Sequence, residues 1–182
     1  MVIPDFLPAD VVAALAVEVQ QLWSTGQLRT ASVGQGAANQ VREDVRNDHI
    51  QWLDEANASP AQTQYWQAMN ALRQSLNEEL YLGLVSLEAH FAVYPPGAFY
   101  RRHLDRFTQS SERTLSCSFY LNTDWKPEEG GQLRLYVDEG HTDVLPLAGT
   151  LAVFRSDTVY HEVLPATRTR MSLTGWFKRR PL

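Results

Sequence analysis

The sequence predicts an α+β domain built around a jelly roll of β-strands, with helices packed on one face. Two stretches before residue 83 carry apolar residues at helical spacing, whereas the rest of the chain alternates apolar and polar residues in short segments. Helices followed by a run of short strands are typical of this fold class. With 182 residues, 44% of them hydrophobic and 20% charged, the chain has the composition of a soluble globular protein. We therefore expect one domain over residues 1–182, with helical support over about 1–83 and the jelly roll over about 84–178.

Both predicted helices lie in the first half of the chain. Over Pro8–Thr25 apolar residues recur every three or four positions, and Gly26 supplies a C-terminal stop. The second helix has Ser59 as its N-cap and Pro60 at its first position, and we expect Gly83 to end it. Each helix presents one apolar stripe, which indicates packing against the sheet.

The remaining segments predict one long loop and a series of strands. Residues 29–47 are polar and rich in small side chains, which indicates a loop of a length that is often functional. The alternation over Ile50–Trp52 predicts a strand directly after this loop. Six further strands are predicted, at Leu87–Val93, Leu115–Leu121, Leu133–Val137, Leu151–Phe154, Val159–Leu164 and Met171–Phe177.

The composition argues against several classes of protein. A net charge of −5 lacks the basic footprint of a nucleic-acid binder, and we interpret Lys178–Arg180 as a solvated terminus. The single cysteine, Cys117, excludes an internal disulfide and a cysteine-based zinc site, which fits a reducing compartment. No basic segment leads into an apolar run at the N-terminus, and no apolar stretch reaches membrane-spanning length. We expect a cytoplasmic monomer without a signal peptide, a membrane partner or a nucleic-acid partner.

A histidine and an aspartate two residues apart, His103 and Asp105, follow a Pro/Gly turn. Residues i and i+2 of a strand point to the same side, so an imidazole nitrogen and a carboxylate oxygen could reach one metal ion. These ligands suit Fe(II), Zn(II) or Mn(II), and a second histidine that completes a facial triad would make non-heme Fe(II) the first choice. The same spacing recurs at His141 and Asp143, but the composition around His141 indicates an exposed turn. His161, inside a predicted strand, is therefore the better candidate for the third ligand.

Arg170 strengthens the assignment of His161. The chain leaves His161 through Pro165–Thr169, and a hairpin centred on that turn would return Arg170 roughly opposite His161. Strand alternation gives the last strand a polar face that comprises Arg170, Ser172, Thr174 and Trp176. An arginine that faces a sheet interior is costly unless it meets an anion, and its guanidinium matches a carboxylate in bidentate geometry. Two partners satisfy this requirement: a small dicarboxylate that also chelates the metal, or an internal acidic residue.

Together these residues resemble the signature of Fe(II)/2-oxoglutarate-dependent oxygenases, in which a His-x-Asp pair is followed by a distal histidine and an arginine nine residues later. The likeness extends to prolyl 4-hydroxylases of the hypoxia-inducible-factor type. It is carried by the segments Asp44–Trp52, Tyr94-Pro95, Tyr100–Asp105, Tyr120–Trp125, Gly130–Arg134, His161–Val163 and Arg170–Trp176. The fold of that family is a double-stranded β-helix, which agrees with the predicted strands.

The resemblance implies a role for each site residue. Three residues would bind Fe(II), namely His103, Asp105 and His161. Four would surround 2-oxoglutarate, with Arg170 and the Tyr120 hydroxyl at its far carboxylate and Tyr94 and Thr174 along the pocket. Four would act near substrate entry or in a mobile loop, namely Arg46, Asp48, Arg113 and Trp176. We further expect Arg113 to pair with Asp48 when the loop is closed. Alternation independently places Tyr120 on a polar face and Cys117 on the opposite face, in the core.

The resemblance also implies an activity. Fe(II), 2-oxoglutarate and O2 would be consumed together, with ascorbate as a candidate reductant, and a prolyl residue would be hydroxylated at C4 with release of succinate and CO2. The loop over about residues 29–48 matches the mobile loop that closes over the target prolyl. Its centre, Gly34–Gln40, differs from the animal enzymes. The compact chain resembles the bacterial branch, whose members act on a prolyl in translation elongation factor Tu.

Two other functions stay open on the sequence. The first is a 2-oxoglutarate oxygenase that acts on a free amino acid, another small molecule or alkylated nucleic acid. The acidic balance disfavours nucleic acid, and the long loop favours a protein target. The second is a non-catalytic jelly-roll binding module, which the intact set of candidate metal and cosubstrate residues disfavours.

Overall fold

The computed structural model describes residues 1–32, 40–105 and 112–180, and it has the predicted jelly-roll architecture. Within this part of the chain, two antiparallel sheets face each other, and the helices α1 (Ala9–Ser24) and α2 (Pro60–Leu80) pack on the larger sheet. The strands are β1 (Val2–Ile3), β2 (Arg29–Thr30), β3 (His49–Trp52), β4 (Leu84–Tyr94), β5 (Tyr100–His103), β6 (Arg113–Tyr120), β7 (Leu133–Tyr136), β8 (Thr142–Val144), β9 (Leu151–Arg155), β10 (Tyr160–Val163) and β11 (Arg170–Arg179).

Strands from both halves of the chain build the larger sheet. Among the described residues it contains seven strands in the order β1-β9-β6-β11-β4-β3-β2, and the smaller sheet contains four in the order β5-β10-β7-β8. The first 83 residues thus contribute three short strands besides the two helices. Of these, β3 is the strand predicted at Ile50–Trp52, whereas β1 and β2 have two residues each and are too short for alternation to reveal them.

Both helices form where the sequence predicts them. The hydroxyl of Ser59 accepts a hydrogen bond from the backbone N–H of Gln62 at 3.1 Å, which caps α2 as expected. The predicted end of α2 at Gly83 is wrong, because the helix stops at Leu80 and Tyr81 adopts the left-handed conformation with φ of 54°. None of the described helices is long and apolar enough to span a bilayer.

The larger sheet is buried on both of its faces. Phe91 and Val93 of β4 belong to the core between this sheet and the helices, together with Leu173 of β11. The alternate residues Ala92 and Tyr94 belong to a second core between the two sheets. A polar side chain on this inner face is therefore enclosed by protein, and the cost of burying it suggests a function.

The predicted hairpin between His161 and Arg170 is not formed. His161 lies in β10, which pairs with β5 and β7 in the smaller sheet, whereas Arg170 begins β11 and pairs with Tyr94 of β4 in the larger sheet. Residues 165–169 therefore carry the chain from one sheet to the other. The ten-residue β11 forms a long ladder with both β4 and β6, which a four-residue strand such as β10 could not offer. Arg170 still approaches His161, but across the space between the sheets.

Candidate active site

Three of the predicted residues, His103, Asp105 and His161, come together between the two sheets. His103 ends β5 opposite His161 of β10, and Asp105 follows just beyond the strand. Nε2 of His103 lies 3.2 Å from Oδ1 of Asp105, and Nε2 of His161 lies 3.3 Å from Oδ2. One ligand atom from each residue lies within 4.8 Å of the other two. Two imidazoles and one carboxylate form the donor set of the facial triad that binds non-heme Fe(II).

Backbone carbonyls orient both imidazoles. Nδ1 of His103 lies 2.7 Å from the carbonyl oxygen of Arg101, and Nδ1 of His161 lies 3.2 Å from that of Val159. A proton on each Nδ1 satisfies these contacts and leaves the lone pair of each Nε2 for a metal. Metal-binding histidines in proteins are commonly held in this way.

The carboxylate of Asp105 is held by Ser116, which in turn contacts Ser156, and the sequence pattern identifies neither contact. Oγ of Ser116 donates to Oδ2 of Asp105 at 2.7 Å, and Oγ of Ser156 lies 2.9 Å from Oγ of Ser116. All three side chains are buried. Alternation places Ser116 on the polar face of its strand with Tyr120, but alternation does not reveal which carboxylate a serine will meet.

The charges of the cluster suit a cation. Burial alone would raise the pKa of Asp105, but the imidazoles of His161 and His103 hold it well below its usual range. Burial lowers the pKa of His103. Burial also opposes the protonation of His161, but the Asp105 carboxylate raises the pKa of that imidazole above its ordinary value. Near neutral pH Asp105 is therefore ionised and His103 is neutral, and these are the forms that bind a metal.

The opposite end of the same cavity holds an arginine without an acidic partner. Arg170 is 1% exposed, its Nε donates to the carbonyl of Gly131 at 2.9 Å, and none of the described carboxylates forms an ion pair with it. Nη2 of Arg170 and the hydroxyl of Tyr120 are buried and meet no hydrogen-bond partner in the described parts of the chain. The guanidinium carbon lies 5.1 Å from the centre of the Tyr120 ring. Because buried polar atoms are rarely left unpaired, these two mark a site for an anion.

Tyr94 and Thr174 line the wall of this cavity, as the resemblance implies. Tyr94 pairs with Arg170 across β4 and β11, and its ring centre lies 5.2 Å from the guanidinium carbon. Burial raises the pKa of Tyr94 and of Tyr120, so both side chains stay neutral phenols. The cavity therefore has a metal-binding end, a cationic end and an uncharged wall between them.

Comparison with known proteins identifies the family. Residues 89–178 match the 2OG-Fe(II) oxygenase superfamily, where 2OG denotes 2-oxoglutarate. The chain is similar to a prolyl-4-hydroxylase of Pseudomonas putida, with 50% sequence identity and a TM-score of 0.89 over 99% of this chain and 92% of that chain. The chain belongs to the prolyl hydroxylases of this superfamily. Its two-sheet core and His-Asp-His cluster are those expected of a member.

Two animal proteins resemble this chain at lower identity. The human protein Egl nine homolog 1 is 31% identical over 186 residues, which are 97% of this chain and 43% of the human protein. The chain thus spans less than half the length of that relative. A prolyl hydroxylase from Trichoplax adhaerens, solved with a peptide fragment of the hypoxia-inducible-factor oxygen degradation domain, shares 26% identity and a TM-score of 0.88. That likeness covers 98% of this chain and 82% of the other.

The side chains present fit the two ligands that the family implies. The two imidazoles and the carboxylate of the triad would hold Fe(II), and they line the same cavity as Arg170 and Tyr94. The unpaired Nη2 of Arg170 and hydroxyl of Tyr120 provide two donors for the carboxylate at the far end of 2-oxoglutarate. The internal acidic partner for Arg170 that the sequence leaves open is not found in the described residues.

An open groove of about 590 Å³ adjoins this cavity. Six residues line both spaces, namely Arg46, His90, Tyr100, His103, Asp105 and Trp176. The ring of Tyr100 stacks on the imidazole of His103 with 3.6 Å between ring centres, and the guanidinium of Arg46 lies 4.3 Å from the Tyr100 ring centre on the side of the loop. The groove therefore gives a large substrate access to the metal site.

Arg113 and Asp48 have other partners in this structure, and their pairing when the loop is closed stays a prediction. Asp48 is fully buried and pairs with Arg46, whose Nε and Nη2 lie 2.7 and 2.5 Å from its two carboxylate oxygens. Arg113 instead pairs with Glu88 at 2.8 Å and lies 3.5 Å from the ring centre of Trp176. Because Arg46 lies two residues before Asp48 and reaches both of its oxygens, the buried carboxylate is satisfied without Arg113.

Two other expectations concern loops. Residues 33–39, the middle of the loop expected to close over the substrate, lie outside the described residues. His141 is exposed and directly follows a turn, as predicted, whereas Asp143 lies in β8 and pairs with Arg134 at 2.8 Å.

Proposed function

We propose that this chain uses Fe(II), 2-oxoglutarate and O2 to hydroxylate a prolyl residue at C4 in a protein substrate. One observation carries the proposal. A single cavity holds the triad of His103, Asp105 and His161 at one end and the unpaired donors of Arg170 and Tyr120 at the other. Such a cavity suits a dicarboxylate that chelates the metal through one end and meets the arginine through the other.

The residues of the chain bind, orient and enclose the reactants. When bound, Fe(II) supplies the activation of O2 that couples oxidation of 2-oxoglutarate to succinate and CO2 with transfer of one oxygen atom to the prolyl. Arg170 and Tyr120 fix the far carboxylate of 2-oxoglutarate, which sets the direction of the molecule in the cavity. Ser116 keeps Asp105 oriented through the hydrogen bond to Oδ2. Tyr100 packs over the imidazole of His103 and restricts access of water to the site.

We propose translation elongation factor Tu as the protein substrate. The support is the 50% identity to a bacterial prolyl-4-hydroxylase and the likeness to a prolyl hydroxylase that was solved with a peptide. The open groove beside the triad suits an extended peptide segment better than a free amino acid, which would leave most of its 590 Å³ unfilled. This substrate places the reaction in the cytoplasm.

Reconstitution under anaerobic conditions tests the function. The protein is loaded with Fe(II) and 2-oxoglutarate and exposed to O2 with and without elongation factor Tu, in the presence and absence of ascorbate. Succinate and a mass increase of about 16 Da on the substrate are followed by mass spectrometry. The proposal expects succinate formation stimulated by elongation factor Tu and a mapped hydroxyproline.

Two variants control this experiment. His161→Ala removes a metal ligand and should abolish both products, whereas His141→Ala alters an exposed histidine outside the site and should leave both unchanged. Succinate without modification of elongation factor Tu would retain the oxygenase chemistry and reject this substrate. Absence of any Fe(II)-dependent succinate would reject the enzyme and favour a binding module.

A further inference from the structure

His90 is a buried histidine for which the reaction described above has no use. It lies on the inner face of β4, is 2% exposed, and neither ring nitrogen meets a hydrogen-bond partner in the described part of the chain. Its ring packs against two indoles that also contact each other, with ring centres 4.8 Å from Trp52 and 5.4 Å from Trp176, and 6.1 Å between the two indoles. Buried imidazoles normally satisfy both nitrogens, so an imidazole left unpaired by the described residues points to a ligand.

The position of His90 differs from that of the cosubstrate residues. On β4, His90 lies four residues before Tyr94 and pairs with Thr174 of β11. Tyr94, Arg170 and Thr174 line the metal cavity but not the open groove. His90 also lines both the metal cavity and the open groove, so it lies where a substrate would pass from the groove toward the metal.

The chemistry of two unpaired groups, the imidazole of His90 and the indole N–H of Trp176, indicates what they bind. Burial and the positive charge of Arg46 lower the pKa of His90 to about 3, so the ring is neutral and offers one N–H donor and one acceptor nitrogen. Nε1 of Trp176 is a second buried donor without a partner among the described residues. A prolyl residue has no backbone N–H of its own, but the peptide groups around it supply both carbonyl oxygens and an N–H.

We propose that His90 is a substrate-positioning residue that hydrogen-bonds the main chain of the target beside the hydroxylated prolyl, with Trp176 as the neighbouring donor. This inference rests on the proposed function as a protein prolyl hydroxylase. The bond fixes the depth at which the prolyl ring enters the cavity. The protein leaves His90 unpaired until the target arrives.

Two substitutions at His90 separate hydrogen bonding from packing. His90→Phe keeps an aromatic ring against Trp52 and Trp176 but removes both nitrogens, whereas His90→Gln keeps a donor and an acceptor and removes the ring. His141→Phe makes the same chemical change at an exposed turn and serves as the matched control. The measurements are the KM for elongation factor Tu, the KM for 2-oxoglutarate, the ratio of hydroxyproline to succinate, and the urea midpoint of unfolding.

The proposal expects a specific combination of results for His90→Phe. The KM for elongation factor Tu rises about tenfold, as for the loss of one good hydrogen bond, while the KM for 2-oxoglutarate changes much less. The ratio of hydroxyproline to succinate falls because the prolyl is held less firmly. The urea midpoint rises, because two unpaired buried nitrogens have been removed from the folded state. His90→Gln recovers part of the lost affinity for elongation factor Tu.

Other results would overturn the inference. A wild-type KM for elongation factor Tu in His90→Phe would show that the ring only packs against the two indoles. If His90→Phe raised the KM for elongation factor Tu and the KM for 2-oxoglutarate equally and lowered the urea midpoint, and if His90→Gln recovered none of the affinity, His90 would be a structural residue. If the wild-type protein forms Fe(II)-dependent succinate but hydroxylates no prolyl in elongation factor Tu, the proposed substrate fails and this inference fails with it. If the wild-type protein hydroxylates that prolyl and His90→Phe does so equally well, only the inference at His90 fails.

Discussion

Asp105 lies between the imidazoles of His103 and His161, and its charge controls the protonation of the metal site. The carboxylate raises the pKa of His161 although burial opposes the charged ring. In the metal-free protein, His161 therefore holds a proton up to a higher pH than an ordinary histidine does. A metal ion must displace this proton, so acid competes with the metal at this residue.

Metal binding should consequently weaken as the pH falls through the raised pKa of His161. We expect the affinity for Mn(II), measured by calorimetry, to decrease steadily from about pH 8 to pH 6, across the range in which histidines titrate. Proton release on binding, obtained from buffers with different ionisation enthalpies, should increase over the same interval. An affinity that does not change with pH over this range, or a site that releases no proton, would contradict this assignment. His141→Gln, at an exposed histidine, should leave the pH profile unchanged.

Arg170 and Tyr120 should determine the affinity for 2-oxoglutarate. Tyr120→Phe removes the unpaired hydroxyl, and Arg170→Lys removes the planar fork that presents Nη2 to a carboxylate. A hydrogen bond to a charged group contributes about 1.5–3 kcal/mol, so we expect the KM for 2-oxoglutarate to rise about 10- to 100-fold in each variant.

The comparison variant for this prediction is Arg155→Lys, because Arg155 is half exposed and pairs with Asp157 at the surface. It should keep the wild-type KM for 2-oxoglutarate. A normal KM in Tyr120→Phe or Arg170→Lys would show that the cosubstrate carboxylate binds elsewhere.

At the scale of an element, β11 carries cavity residues on one face and core residues on the other. Its even-numbered residues from Arg170 to Trp176 face the inner core and the cavity, whereas Met171, Leu173 and Phe177 pack toward the helices. It is hydrogen-bonded to β4 on one edge and to β6 on the other. Any shift of β11 therefore moves Arg170 and Thr174 relative to the metal ligands on the smaller sheet.

Gly175 is a position at which β4 leaves no room for a side chain on β11. A Cβ added there would lie 2.6 Å from the carbonyl oxygen of Glu88 and 3.1 Å from Cβ of Ala89, so the backbone would have to move. We expect Gly175→Ala to lower the free energy of unfolding by about 1–3 kcal/mol, measured by urea denaturation, because overpacking has costs of this size. Gly140→Ala, in an open turn with nothing within 4 Å, should be neutral. Equal stabilities of the two variants would show that the strands separate without cost.

Strand patterns predicted some parts of this site and not others. His103 and Asp105 are two residues apart, so their shared direction follows from local geometry alone, and the inward face of Arg170 follows from alternation. The sheet partner of β11 did not follow, because alternation gives the face of a strand but not its neighbour, and the predicted hairpin with His161 was wrong. The serine that holds Asp105 and the partner of Arg113 depend on contacts between distant segments, which one sequence does not encode locally.

At the scale of the whole molecule, the site joins the two sheets. His103 and His161 lie on strands of the smaller sheet, Asp105 follows the first of them, and Arg170 and Tyr120 lie on strands of the larger one. A metal ion held by the smaller sheet and a dicarboxylate that reaches from it to Arg170 would therefore link the sheets through the ligands themselves. The two ligands should then bind cooperatively, and their binding should stabilise the entire fold rather than one loop.

Thermal unfolding should measure the cooperativity between the metal and 2-oxoglutarate. With Mn(II) and 2-oxoglutarate each at about 100 times its Kd, each ligand that binds only the native state adds about 2.7 kcal/mol to the free energy of unfolding. For a chain of this size that corresponds to a rise in Tm of roughly 5–10 °C per ligand. Because 2-oxoglutarate is held at both ends only when the metal is present, we expect it to raise Tm strongly with Mn(II) and weakly without it.

In His161→Ala the difference in the Tm shift between these two conditions should disappear, since the metal end of the cavity is lost. An equal shift by 2-oxoglutarate with and without Mn(II) in the wild-type protein would mean that the diacid does not reach the metal, and the two ends of the cavity would then be independent sites.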